Sequence, residues 1–208
     1  MTVGPFRCNC YVFGDESTGK ALVVDPGDDI SEIEALLSRL GLEAERIVIT
    51  HAHFDHVGQA AKFKASTGAR AAMRREEVPM LEAVPTQATK LGFPVPELLS
   101  IDDFVEAGDV IEGGGVSFEV RATPGHTPGA LSLYAPNENL IVGGDVLFRE
   151  SIGRTDLPGS DHATLLETIK REFLSLDDST TVLPGHGPAT TIGHERRNNP
   201  FLQGLAAD

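Results

Sequence analysis

Apolar positions along the chain change their spacing several times, and each change predicts an element. Short β-branched runs from Arg7 to Phe13 and from Lys20 to Asp25 predict two strands joined by a turn over residues 14–19. The period then lengthens. Ile33, Leu36, Leu37 and Leu40 lie on one helical stripe ending at Gly41, and Ser31 with Glu34 has the spacing of a capping box. Ile47, Val48 and Ile49 read as a buried strand, a helical pattern runs from Val57 toward Gly68, and Ala69 to Met73 predicts a further strand. A helix begins near Arg74, but prolines at 79, 85, 94 and 96 cut the stretch up to Leu99 into short helical pieces and loop. Such a stretch either borders a site or merely crosses the surface.

The second half alternates in the same way without repeating the sequence. Val110 to Glu112 and Val116 to Ala122 predict a hairpin about Gly113-Gly114-Gly115, and Ala130 to Ala135 pairs with Leu140 to Gly144 across residues 136–139. Asp161 opens a helix reaching Leu176, with Leu165, Leu166, Ile169, Phe173 and Leu174 on its buried side. Thr181 to Leu183 is a last apolar run. No linker composition interrupts the chain, and 208 residues suffice for one large core, so a single domain over residues 1–208 is expected.

Between these elements lies an unusual density of metal-binding side chains. Thr50-His51-Ala52-His53-Phe54-Asp55-His56 packs three imidazoles and a carboxylate directly after the Ile47 to Ile49 strand. His51 and His53 leave that strand two residues apart and can point the same way, while Asp55 and His56 sit where the next helix starts. Imidazole and carboxylate suit Zn²⁺, Fe²⁺ and Mn²⁺ alike. Adjacent Asp55 and His56 do not easily join His51 and His53 around one tetrahedron, so two ions fit better than one. His126, Asp145 and His186 each follow an apolar strand at a turn, and five of the seven histidines fall in these loops. Five unrelated hydrogen-bonded loop histidines would need the same coincidence five times. Asp25, before Pro26-Gly27, reads as a turn cap, and Cys8 and Cys10 read as core residues on one strand face with no metal role.

These residues resemble the pattern of the metallo-β-lactamase superfamily, a His-x-His-x-Asp-His run followed by an isolated His, an isolated Asp and a last His. The resemblance spans nearly the whole chain, and it offers an alternative to the turn cap at Asp25, since the superfamily often has an acidic residue there that hydrogen-bonds toward a ligand loop. It implies an α/β (α+β) fold, a four-layer αββα sandwich with two divalent ions at one edge: zinc in the first instance, iron or manganese otherwise. It implies that one ion takes His51, His53 and His126, that the other takes Asp55, His56 and His186, and that Asp145 bridges them. Asp55 and Asp145 then become the catalytic carboxylates, the first orienting or deprotonating the attacking water and the second setting the metal spacing.

Residues 144–159 and Asn198-Asn199-Pro200-Phe201-Leu202 resemble the short type II glyoxalase-like hydrolases, which implies cleavage of a thioester such as S-lactoylglutathione. Only 22 residues follow His186, too few for the helical domain with which the full-length enzymes grip glutathione. Gly153-Arg154-Thr155-Asp156 stands where those enzymes place a lysine and a tyrosine, so Arg154 is the candidate for the substrate's anionic groups; the alternative is a pairing with Asp156. Two other chemistries share these motifs: a one-iron persulfide dioxygenase on His51, His126 and Asp145, and a lactone or ester hydrolase.

A formal net charge of −14 repels polyanions, so a small-molecule substrate and no nucleic-acid partner are expected. The opening residues lack a basic segment followed by an apolar run, and no eighteen apolar residues occur together. A soluble cytoplasmic protein without membrane contact is the expectation.

Overall fold

Strands Tyr11–Asp15 (β1) and Lys20–Val24 (β2) pair antiparallel, as their connecting turn requires. Helical crossovers then make every later pairing in this sheet parallel: β2 with Glu43–Val48 (β3), β3 with Arg70–Met73 (β4), and β4 with Asp103–Phe104 (β5). The computed structural model describes residues 1–204. Its second sheet runs in the order Thr190–Thr191, Thr181–Pro184, Leu140–Gly144, Leu131–Ala135, Val116–Ala122, Val110–Gly113. In chain order these strands are β6 (Val110–Gly113), β7 (Val116–Ala122), β8 (Leu131–Ala135), β9 (Leu140–Gly144), β10 (Thr181–Pro184) and β11 (Thr190–Thr191).

The strands are apolar on both faces because both faces are covered. In β2, Leu22 and Val24 point into the space between the sheets and meet Phe118, Val120, Leu131 and Leu133, while Ala21 and Val23 point outward. The outward face carries α1 (Ile30–Leu40) through Ile33 and Leu37, together with Phe63 of a helix described below. On the far side Ile141 and Val182 of the second sheet meet Leu165, Ile169, Phe173 and Ile192. The layers are therefore helix, sheet, sheet, helix.

Local differences from the sequence pattern have local causes. Helix α1 starts at Ile30, so Ser31 and Glu34 lie inside it and form no capping box. Asp29 precedes it in the left-handed region (φ 49°), and its side chain accepts the Gly4 N–H at 2.8 Å instead of capping the helix. The ligand run folds as one short turn, α2 (Phe54–Val57), before α3 (Ala60–Thr67). The broken stretch becomes a 3₁₀ turn, Arg75–Glu77, then α4 (Val78–Glu82) and α5 (Val84–Leu91), each with its proline in the first turn where no donor is lost. Asp161 caps α6 (His162–Thr168) by accepting from the Thr164 N–H, and this helix continues as one π-helical turn over Ile169–Phe173. Ile192–Asn198 forms α7.

Cys8 and Cys10 are both free and fully buried in the helix-side core. Burial pushes the Cys8 thiol up to about 11 and the Cys10 thiol higher still. Neither is expected to react with a disulfide-exchange reagent at pH 8 in the native protein, and both should react after denaturation. Rapid labelling of the folded chain would contradict this packing.

Candidate metal centre

Seven side chains converge where the two sheets end on one edge. His51 and His53 leave the extended continuation of β3, Asp55 and His56 come from α2, His126 from the loop after β7, Asp145 from the end of β9 and His186 from the loop after β10. Three combinations bring their ligand atoms within 4.8 Å of one another: His51, His53 and His126; His51, His56 and Asp145; and Asp55, His56 and His186. Asp145 stands between the outer two groups. Its Oδ2 lies 3.5 Å from His126 Nε2 and 3.6 Å from His186 Nε2, and its Oδ1 lies 3.4 Å from His56 Nε2. Every residue that the sequence singled out as a ligand is in this cluster.

The neighbours of three of the imidazoles select the nitrogen each presents. The Thr50 hydroxyl donates to Asp25 Oδ2 at 2.6 Å, so its oxygen is left to accept from His51 Nδ1 at 3.1 Å, and His51 Nε2 keeps its lone pair. His56 Nδ1 donates to Asp25 Oδ2 at 2.9 Å, and His126 Nδ1 donates to the Arg154 carbonyl at 2.9 Å. His51 Nε2 and Asp145 Oδ1 are buried without a hydrogen-bond partner among the described residues. Lone pairs converging in a buried site with orphaned atoms need a cation between them, and this donor set fits divalent metal ions.

Electrostatics in the metal-free protein point the same way. Burial holds His51 and His126 low and His53 at about 4, so these three imidazoles are neutral at neutral pH. Burial also opposes charge on His56 and His186, but Cys8 with the carboxylates of Asp145, Asp55 and Asp25 overcomes it at His56, and Asp55 and Asp145 overcome it at His186, so both are raised. Asp55 and Asp145 are held low by the neighbouring histidines against the effect of burial. The second donor group thus favours a positive charge in its midst.

Residues beyond the ligands set this geometry. Asp25 is buried in the left-handed region (φ 51°), where Asp is tolerated better than most residues, and supports His51 through Thr50 and His56 directly. The turn-cap reading of Asp25 is therefore corrected to a support for two ligands. Cys8 Sγ lies 3.5 Å from His56 Nδ1, the nitrogen that faces Asp25, and belongs to none of the three donor groups. The His186 loop is gripped from the start of the chain: the Asn9 amide donates to the carbonyls of Pro184 (3.0 Å) and Gly187 (2.8 Å), and Tyr11 Oη donates to Pro184 at 2.7 Å. Gln87 of α5 accepts from the Phe54 N–H at 3.0 Å and donates to the Ala52 carbonyl at 3.2 Å.

A cavity of about 670 Å³ opens over the cluster. Phe6, Phe54, Leu91, Phe148 and Leu157 give it apolar walls, and α4 and α5 form part of its border, which settles the role of the proline-broken stretch. Phe93, which reads in the sequence only as part of a turn, stacks between Phe6 (5.6 Å) and Phe54 (5.2 Å) at this rim. Arg154 lines the cavity but stands outside the donor cluster, exposed and paired with both oxygens of Asp156 at 2.7 and 2.8 Å. His162 and His194 lie away from the site, His194 against Glu150 at 3.0 Å.

The metallo-β-lactamase superfamily model matches residues 3–186, so the chain belongs to the metallo-β-lactamase superfamily. It is 36% identical to hydroxyacylglutathione hydrolase GloC of Haemophilus influenzae, over 97% of this chain and 96% of that one. Among solved structures it is similar to BLEG-1 B3 metallo-β-lactamase, with a TM-score of 0.90, 37% identity and 97% of each chain covered. It is equally similar to TTHA1623 in a di-iron-bound form, with a TM-score of 0.89, 38% identity, and 97% and 98% of the two chains covered. The class is therefore that of metal-dependent hydrolases. No helix among the described residues is long and apolar enough to cross a membrane.

Proposed function

We propose that this chain uses two divalent ions to hydrolyse a thioester of the S-lactoylglutathione class. The observation that carries the reading is the complete second donor group, Asp55, His56 and His186, set beside His51, His53 and His126 with Asp145 between them. In this reading one ion is held by His51, His53 and His126, the other by Asp55, His56 and His186, and Asp145 reaches both. Zinc is our assignment, with iron and manganese accepted by the same donors; the di-iron form of TTHA1623 supports a two-ion centre. When bound, such ions supply Lewis-acid chemistry, acidifying a water and polarising an acyl oxygen.

The chain's own residues do the remaining work. Asp55, at the mouth of the site, orients the attacking water or takes its proton. Asp25 and Thr50 hold His51 and His56 in the tautomers that face the centre. The aromatic and aliphatic walls exclude bulk water and seat the acyl and thiol portions. Arg154 is assigned to the anionic end of the substrate, together with Lys90, which lines the same cavity and makes no ion pair among the described residues. Likeness to GloC supports a glutathione thioester as that substrate.

The test is turnover of S-lactoylglutathione by metal-loaded protein, beside glutathione persulfide with oxygen uptake recorded. Oxygen uptake without any thioester or ester turnover would overturn the hydrolase reading in favour of a dioxygenase. Arg154→Ala is expected to raise KM for the anionic thioester by roughly ten- to a hundredfold, the worth of one charge-assisted hydrogen bond, and to leave a neutral ester unaffected. Equal losses on both substrates with a lower Tm would reduce Arg154 to its pairing with Asp156.

A further inference from the structure

Glu77 is the one carboxylate in the described structure that joins two ligand loops without touching the ligands themselves. It ends the 3₁₀ turn before α4 and is fully buried. Its Oε1 accepts the N–H of Ala52, the residue between His51 and His53, at 2.9 Å. Its Oε2 accepts the Thr127 hydroxyl at 3.0 Å and the Gly129 N–H at 2.8 Å, immediately beyond His126. Packing here is close: a Cβ on Gly129 would overlap the backbone of Glu76 and Glu77.

A buried carboxylate has high desolvation cost, so it persists only where its donors compensate. Here the three donors come from two segments more than seventy residues apart in sequence, and both segments carry histidines of the same donor group. Two of the donors are backbone N–H groups that an apolar residue at position 77 would leave unpaired. The second donor group is held differently, by Asp25 under His56 and by Asn9 around His186. Asp25 also reaches His51 through Thr50, so it serves both groups, whereas the Glu77 contacts fall on the segments of the first group alone.

We propose that Glu77 is a positioning residue for the first ion, a clamp that keeps the His51–His53 loop and the His126 loop at the separation the ion needs. This rests on the assignment of His51, His53 and His126 to one ion. In a Glu77→Gln variant, one carboxamide oxygen replaces two carboxylate oxygens and an NH₂ faces an N–H, so one loop loses its anchor. Thr127→Val removes a single donor and is the milder variant.

The experiment is competition for Zn²⁺ between a chromogenic chelator and the parent, Glu77→Gln, Thr127→Val and His126→Ala proteins, with the metal-free Tm of each. Glu77→Gln is expected to weaken one of the two ions by ten- to a hundredfold, the usual scale for outer partners of metal ligands, and to leave the other unchanged. The weakened ion should be the one that His126→Ala removes, so that adding Glu77→Gln to His126→Ala changes nothing further. Thr127→Val should move the same ion by less, and it decides the matter if Glu77→Gln fails to fold. Equal weakening of both ions, or a lower metal-free Tm with both affinities intact, would overturn the proposal. A parent that binds one ion defeats the two-ion reading instead, and the clamp is then judged on whether Glu77→Gln weakens that ion.

Discussion

Asp145→Ala should strip the protein of at least one ion per chain and cut turnover by well over a hundredfold. The expectation follows from position. Its two oxygens lie 3.4 to 3.6 Å from Nε2 of His56, His126 and His186, and its Oδ1 finds no partner in the described protein. The other carboxylate of the cluster, Asp55, is that close only to imidazoles of its own group. Without it, converging imidazole lone pairs lose the negative charge that draws a cation in. Outer partners of metal ligands are typically worth ten- to a hundredfold, so a shared ligand should exceed that range. His186→Ala supplies the contrast, since it should lower metal content toward one ion and leave the first group intact. Metal analysis after gel filtration checks both, and two retained ions in Asp145→Ala would refute the bridging role.

Gly185→Ala should be nearly as damaging although it removes nothing. A Cβ there would overlap Asp145 Oδ1 and stand 2.8 Å from His56 Cε1, inside the centre itself. The backbone has no room to retreat: Gly185 donates to the Gly144 carbonyl at 2.8 Å and accepts from the Asn9 N–H at 2.7 Å. Overpacking of this kind costs about 1–3 kcal/mol, and here it falls on ligand positions, so metal binding should fail before the fold does. Two residues on, Gly187 faces open space at φ 75°, and Gly187→Ala should cost only about 1–2 kcal/mol of backbone strain with metal content unchanged. Comparable metal loss in both variants would show that the loop's conformation, and not the space at position 185, is what matters. Chemical denaturation with and without metal separates the two.

The members of the cluster were legible in the sequence because six consecutive residues concentrate four of them and the others stand at turns after apolar strands. The sandwich was expected only through the resemblance that these residues carry; the physical basis seen in the fold is that strands such as β2 are apolar on both faces and covered on both. The supports of the cluster were not legible. Asp25-Pro26-Gly27 has the composition of an ordinary turn, and the partners that give Asp25 its role lie 25 and 31 residues away. Glu77 lies in a stretch that reads as the solvated start of a helix, and its three donors come from loops met only in the folded chain. The capping-box spacing at Ser31 misled because the helix already starts at Ile30, which leaves Ser31 and Glu34 inside it. Likewise the π-helical turn over Ile169–Phe173 leaves an unbroken apolar stripe, so the sequence reads there as an uninterrupted α-helix.

Asn9's hold on the His186 loop sets an order of events during synthesis. His51, His53, Asp55 and His56 emerge from the ribosome early, and His126 follows. The second donor group waits for a loop whose partner was made some 175 residues before. That partner must be found again across a long stretch of nascent chain, so the second donor group is among the last parts of the described structure to assemble. Assembly of Asp55, His56 and His186 around a common centre therefore requires that Asn9 and the Pro184 to Gly187 loop have already met.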